Sequence, residues 1–153
     1  ELFAAFGSTI VYDVEIKSKS RRPAGVEVEA VRLVRRYGLH DRVLFSSFNP
    51  HTLAALASVA PEIPRALIYA REPEVPLLLR NGWGRYLVSV SALKPRCDQV
   101  TRSMMHRLSR RYAIVPWTVD NPAEAIRLYE LGVDAIITND PVTIAAALDK
   151  SPA

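Results

Sequence analysis

The sequence predicts an α/β protein with a parallel sheet, and three observations lead to that class. Six short runs rich in β-branched residues alternate with helical patterns along all 153 residues, and such alternation forces parallel pairing through crossover helices. No GxGxxG or Walker motif follows the first predicted strand, which disfavours a nucleotide-binding doubly wound sheet. Polar residues stand at the ends of several predicted strands, which favours part of a (β/α)8 barrel.

The predicted strands are short and separated by helix signals. They cover residues 9–16, 42–48, 65–70, 85–91, 113–119 and 134–138. Apolar residues at three- and four-residue steps predict a helix that starts near Val26 and stops at Gly38. Asn49-Pro50, Asn121-Pro122 and Asp140-Pro141 each read as an N-cap followed by the first helical residue. Pro73 and Pro76 interrupt the pattern of residues 72–83, so a short helix or a loop is predicted there.

The composition is that of a globular protein. Hydrophobic residues make up 49% and charged residues 24% of the chain, and no run reaches the ~18 apolar residues of a membrane-spanning helix. The chain has no initiator Met and starts within a helical pattern, which predicts that an N-terminal segment precedes it in the natural protein. Cys97 is the one cysteine, so an intrachain disulfide is excluded, and a reducing compartment, the cytoplasm, is expected.

The net charge of +4 comes from 20 basic and 16 acidic residues. The arginine clusters stand at helical spacing opposite apolar residues, which is typical of a solvated helix face. Aromatic residues are not interleaved with them, so nucleic-acid binding is disfavoured.

The chemistry-bearing pattern lies in the first strand, YDVEIK. Because side chains alternate across a strand, Asp13, Glu15 and Lys17 share one face and Tyr12 shares the other with Val14 and Ile16. A carboxylate binds hard divalent cations and a lysine neutralises phosphate oxygens. The residues alone leave two alternatives open, a cation and phosphate site or an internal Glu15–Lys17 ion pair.

Four segments carry a resemblance to a known family. VEIKSK, VLFSSFNPHTLAAL, IPRALIY and VPWTVDNPAEAIRLYELGVDAIITNDP occur in this order, and together they resemble the glycerophosphodiester phosphodiesterase family. The resemblance implies a TIM (β/α)8 barrel of the phospholipase C-like phosphodiesterase type. It further implies a single domain over residues 1–153 that holds about six β/α units, strands three to eight of that barrel.

The resemblance also implies a site and an activity. Glu15 matches the metal ligand of strand three, Lys17 matches a contact to the substrate phosphate, and Trp117 matches an apolar wall near the glycerol end. Asn139 is expected as a polar neighbour at the mouth of the barrel. The implied reaction is the metal-dependent hydrolysis of a glycerophosphodiester to an alcohol and glycerol 3-phosphate, a step of lipid and glycerol metabolism, with Mg²⁺ or Ca²⁺ as cofactor.

The family's catalytic histidines and remaining carboxylate ligands belong to its first two strands, and the sequence has no HRG motif. His40, His51 and His106 are expected at the surface. We therefore expect this segment alone to be inactive, to bind metal weakly and to associate with itself through exposed sheet edges. The alternative is a non-catalytic barrel remnant that binds phosphate groups or a partner chain.

Overall fold

The computed structural model describes residues 1–73 and 75–150, except for the side chain of Leu78. The described residues form two compact units. The first comprises residues 1–68 and 83–91, and the second comprises residues 69–82 and those from Ala92 onward. The prediction of a single domain over residues 1–153 stays a prediction.

The regular elements alternate between strands and helices, as predicted. The strands are β1 (Tyr12–Glu15), β2 (Val43–Ser47), β3 (Arg65–Tyr69), β4 (Ala92–Pro95) and β5 (Ala113–Ile114). The α-helices are α1 (Leu2–Phe6), α2 (Val26–Arg36), α3 (Pro50–Val59), α4 (Arg102–Leu108), α5 (Pro122–Glu130) and α6 (Pro141–Asp149). Three short 3₁₀ helices cover Leu77–Leu79, Trp83–Tyr86 and Cys97–Gln99.

The strands form a five-stranded sheet in the order β1-β2-β3-β4-β5. Within the first unit β2 pairs in parallel with β1 and β3, and within the second β4 pairs in parallel with β5. A doubly wound sheet reverses its strand order at a switch point, whereas barrel strands follow the chain order. The parallel α/β prediction is therefore confirmed, and the number of β/α units in the complete barrel stays a prediction.

The core of the first unit is built on β2 and the helices that flank it. Phe45 on β2 is fully buried, and so are Val34 on α2 and Leu53 and Leu56 on α3. The exposed side of α2 carries the arginines, with Arg32 bonded to Glu29 and Arg35 to Glu62. The prediction of a solvated basic helix face is confirmed for this helix.

All three predicted N-caps are present. The side chain of Asn49 accepts a hydrogen bond from the backbone N–H of His51, and Asn121 accepts from Ala123 and Glu124. The side chain of Asp140 accepts from the N–H of Thr143. In each case the next residue is a proline at the first helical position, where its missing N–H costs nothing.

Two predicted strands differ from the structure. Residues 85–91 are not a strand: a 3₁₀ helix occupies Trp83–Tyr86, and the regular strand of this region is β4, which follows it. Tyr86 and Leu87 are exposed while Val88 is buried, so the apolar run packs only in part and does not join the sheet as a strand. Ser91 already lies at the sheet, where its N–H donates to the carbonyl of Arg65 over 2.9 Å.

The sixth predicted strand, residues 134–138, forms no regular strand. The N–H groups of Asp134 and Ile137 donate to the carbonyls of Ile114 and Pro116. The segment therefore lies beside β5 and its continuation without forming a continuous ladder. None of the helices in the described ranges has the length and apolar character that a bilayer span requires.

Candidate active site

Strand β1 presents its charged side chains on the face opposite the helices. Tyr12 and Ile16 are buried, and the ring of Phe3 on α1 meets the ring of Tyr12 edge-on at 4.8 Å. Asp13, Glu15 and Lys17 are exposed. The helix-covered side of β1 is thus the apolar one, and the Glu15 carboxylate lies on the other side at the carboxyl end of the strand.

Ser46 on the neighbouring strand fixes the position of Asp13. Its Oγ donates a 2.7 Å hydrogen bond to Oδ1 of Asp13, and Ser46 is fully buried. The β1–β2 register places Ser46 directly beside Glu15. A buried hydroxyl that is already bonded to one carboxylate makes this corner of the sheet rigid.

The chain leaves β1 along a path that β2 and α3 determine. Ser47 Oγ donates to the carbonyl of Ile16 over 2.7 Å and accepts from the N–H of Asn49 over 3.1 Å. The side-chain amide of Asn49 donates to the carbonyls of Ser18 and Ser20. Ser46 and Ser47 therefore act as hydrogen-bonding groups at the end of β2.

Trp117 belongs to the second unit, after β5. Its indole Nε1–H donates to the carbonyl of Lys94 over 2.9 Å, and its backbone forms a parallel bridge with Arg96. The peptide bond between Trp117 and Thr118 is cis. The indole is half-buried, so one part of it packs while the other is accessible to a ligand.

Asn139 forms part of a clamp at the same end of the second unit. Asp120 Oδ1 accepts from the backbone N–H of Asn139 over 2.8 Å and from the Thr138 hydroxyl over 3.1 Å. The other carboxylate oxygen of Asp120 accepts from the Asn139 amide over 2.9 Å. The sequence analysis did not identify Asp120, although it lies within the WTVDNP segment that carries the family resemblance.

These hydrogen bonds lower the pKa of Asp120, with the backbone N–H of Asn139 as the largest cause and its side-chain amide next. A carboxyl with a depressed pKa in the folded state stabilises the fold above its unfolded pKa of about 3.9, and that stabilisation is lost as the pH falls through the folded value.

We therefore expect the unfolding free energy of the wild type to fall more steeply below about pH 4 than that of Asp120→Asn. Urea denaturation of both proteins across the acid range measures the difference. A carboxyl NMR titration of Asp120 with a midpoint at or above the ordinary value would contradict this assignment.

Glu15, the predicted metal ligand, lies among the described residues and is exposed. Glu15 has the donor type that Mg²⁺ and Ca²⁺ prefer, but no group of three His, Cys, Asp or Glu side chains in the described ranges is arranged to hold a metal ion. Both ions normally need several oxygen ligands. The segment as described therefore supplies a single candidate ligand and does not fit a complete metal centre.

The remaining candidates for acid, base or nucleophile chemistry lie at the surface. His40, His51 and His106 are all exposed, as expected. Burial is the largest cause that raises the pKa of the Cys97 thiol, so the thiol is protonated at neutral pH and is a poor nucleophile.

Lys94 is a buried cation that sequence reasoning missed. It lies on β4 and is 4% exposed. Charged residues are seldom buried to this extent unless they are paired. The burial of Lys94 was not predicted because the predicted strand ended at residue 91, one residue before the ALKP segment that forms β4.

Comparison with known proteins identifies the family. The model of the glycerophosphoryl diester phosphodiesterase family matches residues 5–143. A glycerophosphodiester phosphodiesterase of Caldanaerobacter subterraneus subsp. tengcongensis is 28% identical over an alignment of 153 positions that covers 98% of this chain and 60% of that protein. The Bacillus subtilis protein YqiK is 29% identical over 141 residues, 89% of this chain and 55% of its own.

A solved structure shows the same fold. The structure of an Oleispira antarctica phosphodiesterase, in complex with the product sn-glycerol-3-phosphate, aligns with a TM-score of 0.75 and 21% identity. The alignment covers 97% of this chain and 58% of that protein. The chain thus spans somewhat more than half the length of these relatives. With a parallel α/β fold, the charged end of β1 and a family match over most of its length, the chain belongs to the glycerophosphoryl diester phosphodiesterase family.

Proposed function

We propose that these residues form part of an enzyme that hydrolyses glycerophosphodiesters to an alcohol and glycerol 3-phosphate. The observation that carries the proposal is the Glu15 carboxylate at the carboxyl end of β1, in a chain of this family. The structure of the Oleispira protein, which shares the fold, is a complex with the product sn-glycerol-3-phosphate, which supports a product of this class.

The proposed residue roles follow from charge and position. Glu15 contributes one oxygen ligand to a divalent metal, Mg²⁺ or Ca²⁺, whose chemistry when bound is to polarise a phosphoryl oxygen. Lys17, two residues further on the same face, neutralises a phosphate oxygen as a point charge. Trp117 supplies an apolar surface for the glycerol part, since its indole is held by the carbonyl of Lys94 and remains half-exposed.

In the proposed reaction a water oxygen forms a new bond to phosphorus, and the bond from phosphorus to the alcohol oxygen breaks. The alcohol leaves with a proton and glycerol 3-phosphate keeps the phosphoryl group. General acid and base groups are required for these proton transfers, and the resemblance assigns them to histidines of an HRG segment that these residues do not contain. We therefore propose that the 153-residue segment by itself is inactive and binds metal weakly.

A non-catalytic role as a barrel remnant remains the second candidate. The described residues favour it in one respect, because they lack a cluster of three metal-ligating side chains. In that case the segment would bind phosphate groups or a partner chain without turnover. Association through the edge of β1, beside the exposed Val11, stays a prediction in either case.

A turnover assay separates these functions. The longest natural polypeptide that contains these residues is expected to release glycerol 3-phosphate from glycerophosphocholine or glycerophosphoglycerol, and to stop when EDTA removes the metal. The isolated 153-residue chain is expected to release none. Hydrolysis by the isolated chain would contradict the proposed inactivity, and a longer protein without any turnover would favour the remnant.

A further inference from the structure

The segment that joins β1 to α2 is strongly basic. We call residues 17–24 the basic loop. It contains Lys17, Lys19, Arg21 and Arg22, and the sequence places no acidic residue between Glu15 and Glu27. All four cations are exposed. The loop therefore concentrates four positive charges within six residues.

The four cations of the basic loop differ from several arginines elsewhere in the described part of the chain, which pair with carboxylates. Arg96 is bonded to Asp98 and Glu72, and Arg127 to Glu124, as Arg32 and Arg35 are to glutamates on or near α2. Among the described residues, none of the four cations of the basic loop has a carboxylate within ion-pair distance. Like charges at this density repel, and a bound anion relieves that repulsion.

The backbone of the basic loop is held in place before any ligand arrives. The Asn49 amide donates to the carbonyls of Ser18 and Ser20 over 3.1 and 2.7 Å. Ser20 Oγ accepts from the N–H of Arg22, and the Glu27 carboxylate accepts from the N–H of Ala24. A loop already fixed at both ends loses less conformational entropy on binding than a free one.

The serines and the cations alternate, so they are expected to face different ways. Ser18 is half-buried, whereas Lys17 and Lys19 on either side of it are exposed. Anchoring the backbone through Ser18 and Ser20 leaves the long cationic side chains toward solvent. The charged surface starts at Lys17, two residues beyond Glu15, and continues along the chain to Arg22.

We propose that the basic loop is a binding surface for ligands that present two or more phosphate charges. A single phosphodiester carries one negative charge and needs one cation, for which Lys17 is the candidate. Lys19, Arg21 and Arg22 are then available for further phosphates. Those phosphates are supplied by a polyphosphorylated small molecule or by the surface of a membrane rich in anionic phospholipid.

The test uses binding, so that its outcome does not depend on hydrolysis. The two probes are inositol hexakisphosphate in calorimetry and vesicles of phosphatidylglycerol mixed with phosphatidylcholine in co-sedimentation, at low and high salt. The loop variant is Lys19→Ala/Arg21→Ala/Arg22→Ala, which leaves Lys17 unchanged. The matched control is Arg102→Ala/Arg107→Ala/Arg110→Ala. It also removes three positive charges, from the exposed surface of α4 and from the turn that follows this helix.

The wild type is expected to bind at least one probe, more weakly at high salt. The loop variant is expected to lose on the order of 100-fold in affinity, because it removes three cations that each contribute about a factor of five. The control is expected to stay within about twofold of the wild type. A third variant, Lys19→Arg/Arg21→Lys/Arg22→Lys, retains the charges and is expected to retain binding, which separates loss of charge from loss of folding.

Binding of the vesicles alone identifies the lipid surface as the source of the phosphates, and binding of inositol hexakisphosphate identifies a soluble ligand. The proposal is overturned if neither probe binds at low salt, or if the loop and control variants lose equal affinity. It is also overturned if single-stranded RNA binds the wild type more tightly than either probe, since that outcome indicates a nucleic-acid surface.

Discussion

Glu15→Gln is expected to lower the rate of glycerophosphodiester hydrolysis by a factor on the order of 100 or more, in the longest natural polypeptide that contains these residues. The substitution keeps the size of the side chain and removes its negative charge, so a divalent cation loses a ligand while the packing of β1 is unchanged. The measurement is the release of glycerol 3-phosphate at saturating metal.

Glu130→Gln provides the control for this substitution. Glu130 is the last residue of α5 and is exposed, so the same chemical change there is expected to leave the rate within about twofold of the wild type, as for most surface substitutions. If Glu15→Gln retained full activity, Glu15 would have no direct part in catalysis.

Phe45→Ala is expected to lower the free energy of unfolding by about 3–5 kcal/mol. Phe45 lies at the centre of β2, which pairs with β1 and with β3, and its side chain is 0% exposed. Truncation removes buried apolar contacts and leaves a cavity between the sheet and its helices. Urea denaturation followed by circular dichroism measures the loss.

Phe6→Ala is the matched control for the core substitution. Phe6 ends α1 and is 47% exposed, so the same truncation there is expected to cost much less than at Phe45. Equal losses for the two variants would mean that the buried face of β2 does not stabilise the fold as described.

The helix ends could be predicted from the sequence because they depend on adjacent residues. An Asn or Asp followed by Pro supplies both the side-chain acceptor and the first helical residue, so Asn49, Asn121 and Asp140 were identified without any tertiary information. The same holds for the alternation along β1. Tyr12 and Glu15 lie on opposite faces because strand geometry leaves no other arrangement.

The elements that were wrong depend on contacts that sequence patterns do not contain. Residues 85–91 have the apolar alternation of a strand, yet Tyr86 and Leu87 are exposed and the chain enters the sheet only at Ser91. Strand β4 was missed because four residues, one of them the buried Lys94, give too short an apolar signal. A buried lysine can be recognised only when the residues around it are known.

Two segments that carry the family resemblance, WTVDNP and TNDP, have structural roles. In WTVDNP, Asp120 clamps Asn139 and Asn121 caps α5, while in TNDP the residue Asp140 caps α6. These contacts bring the two segments together within the second unit. The two segments with the strongest resemblance therefore stabilise the chain at this end of the second unit. The proposed chemistry depends mainly on residues at the end of β1.

The most direct test of the proposed role of Glu15 is the dissociation constant of Mn²⁺, a spectroscopic substitute for Mg²⁺, in the longest natural polypeptide with Glu15 or with Gln at that position. We expect Glu15→Gln to weaken binding by at least about tenfold, because loss of a ligand should cost no less than the loss of a residue that supports one. Equal dissociation constants for the wild type and Glu15→Gln would contradict the assignment of Glu15 as a metal ligand.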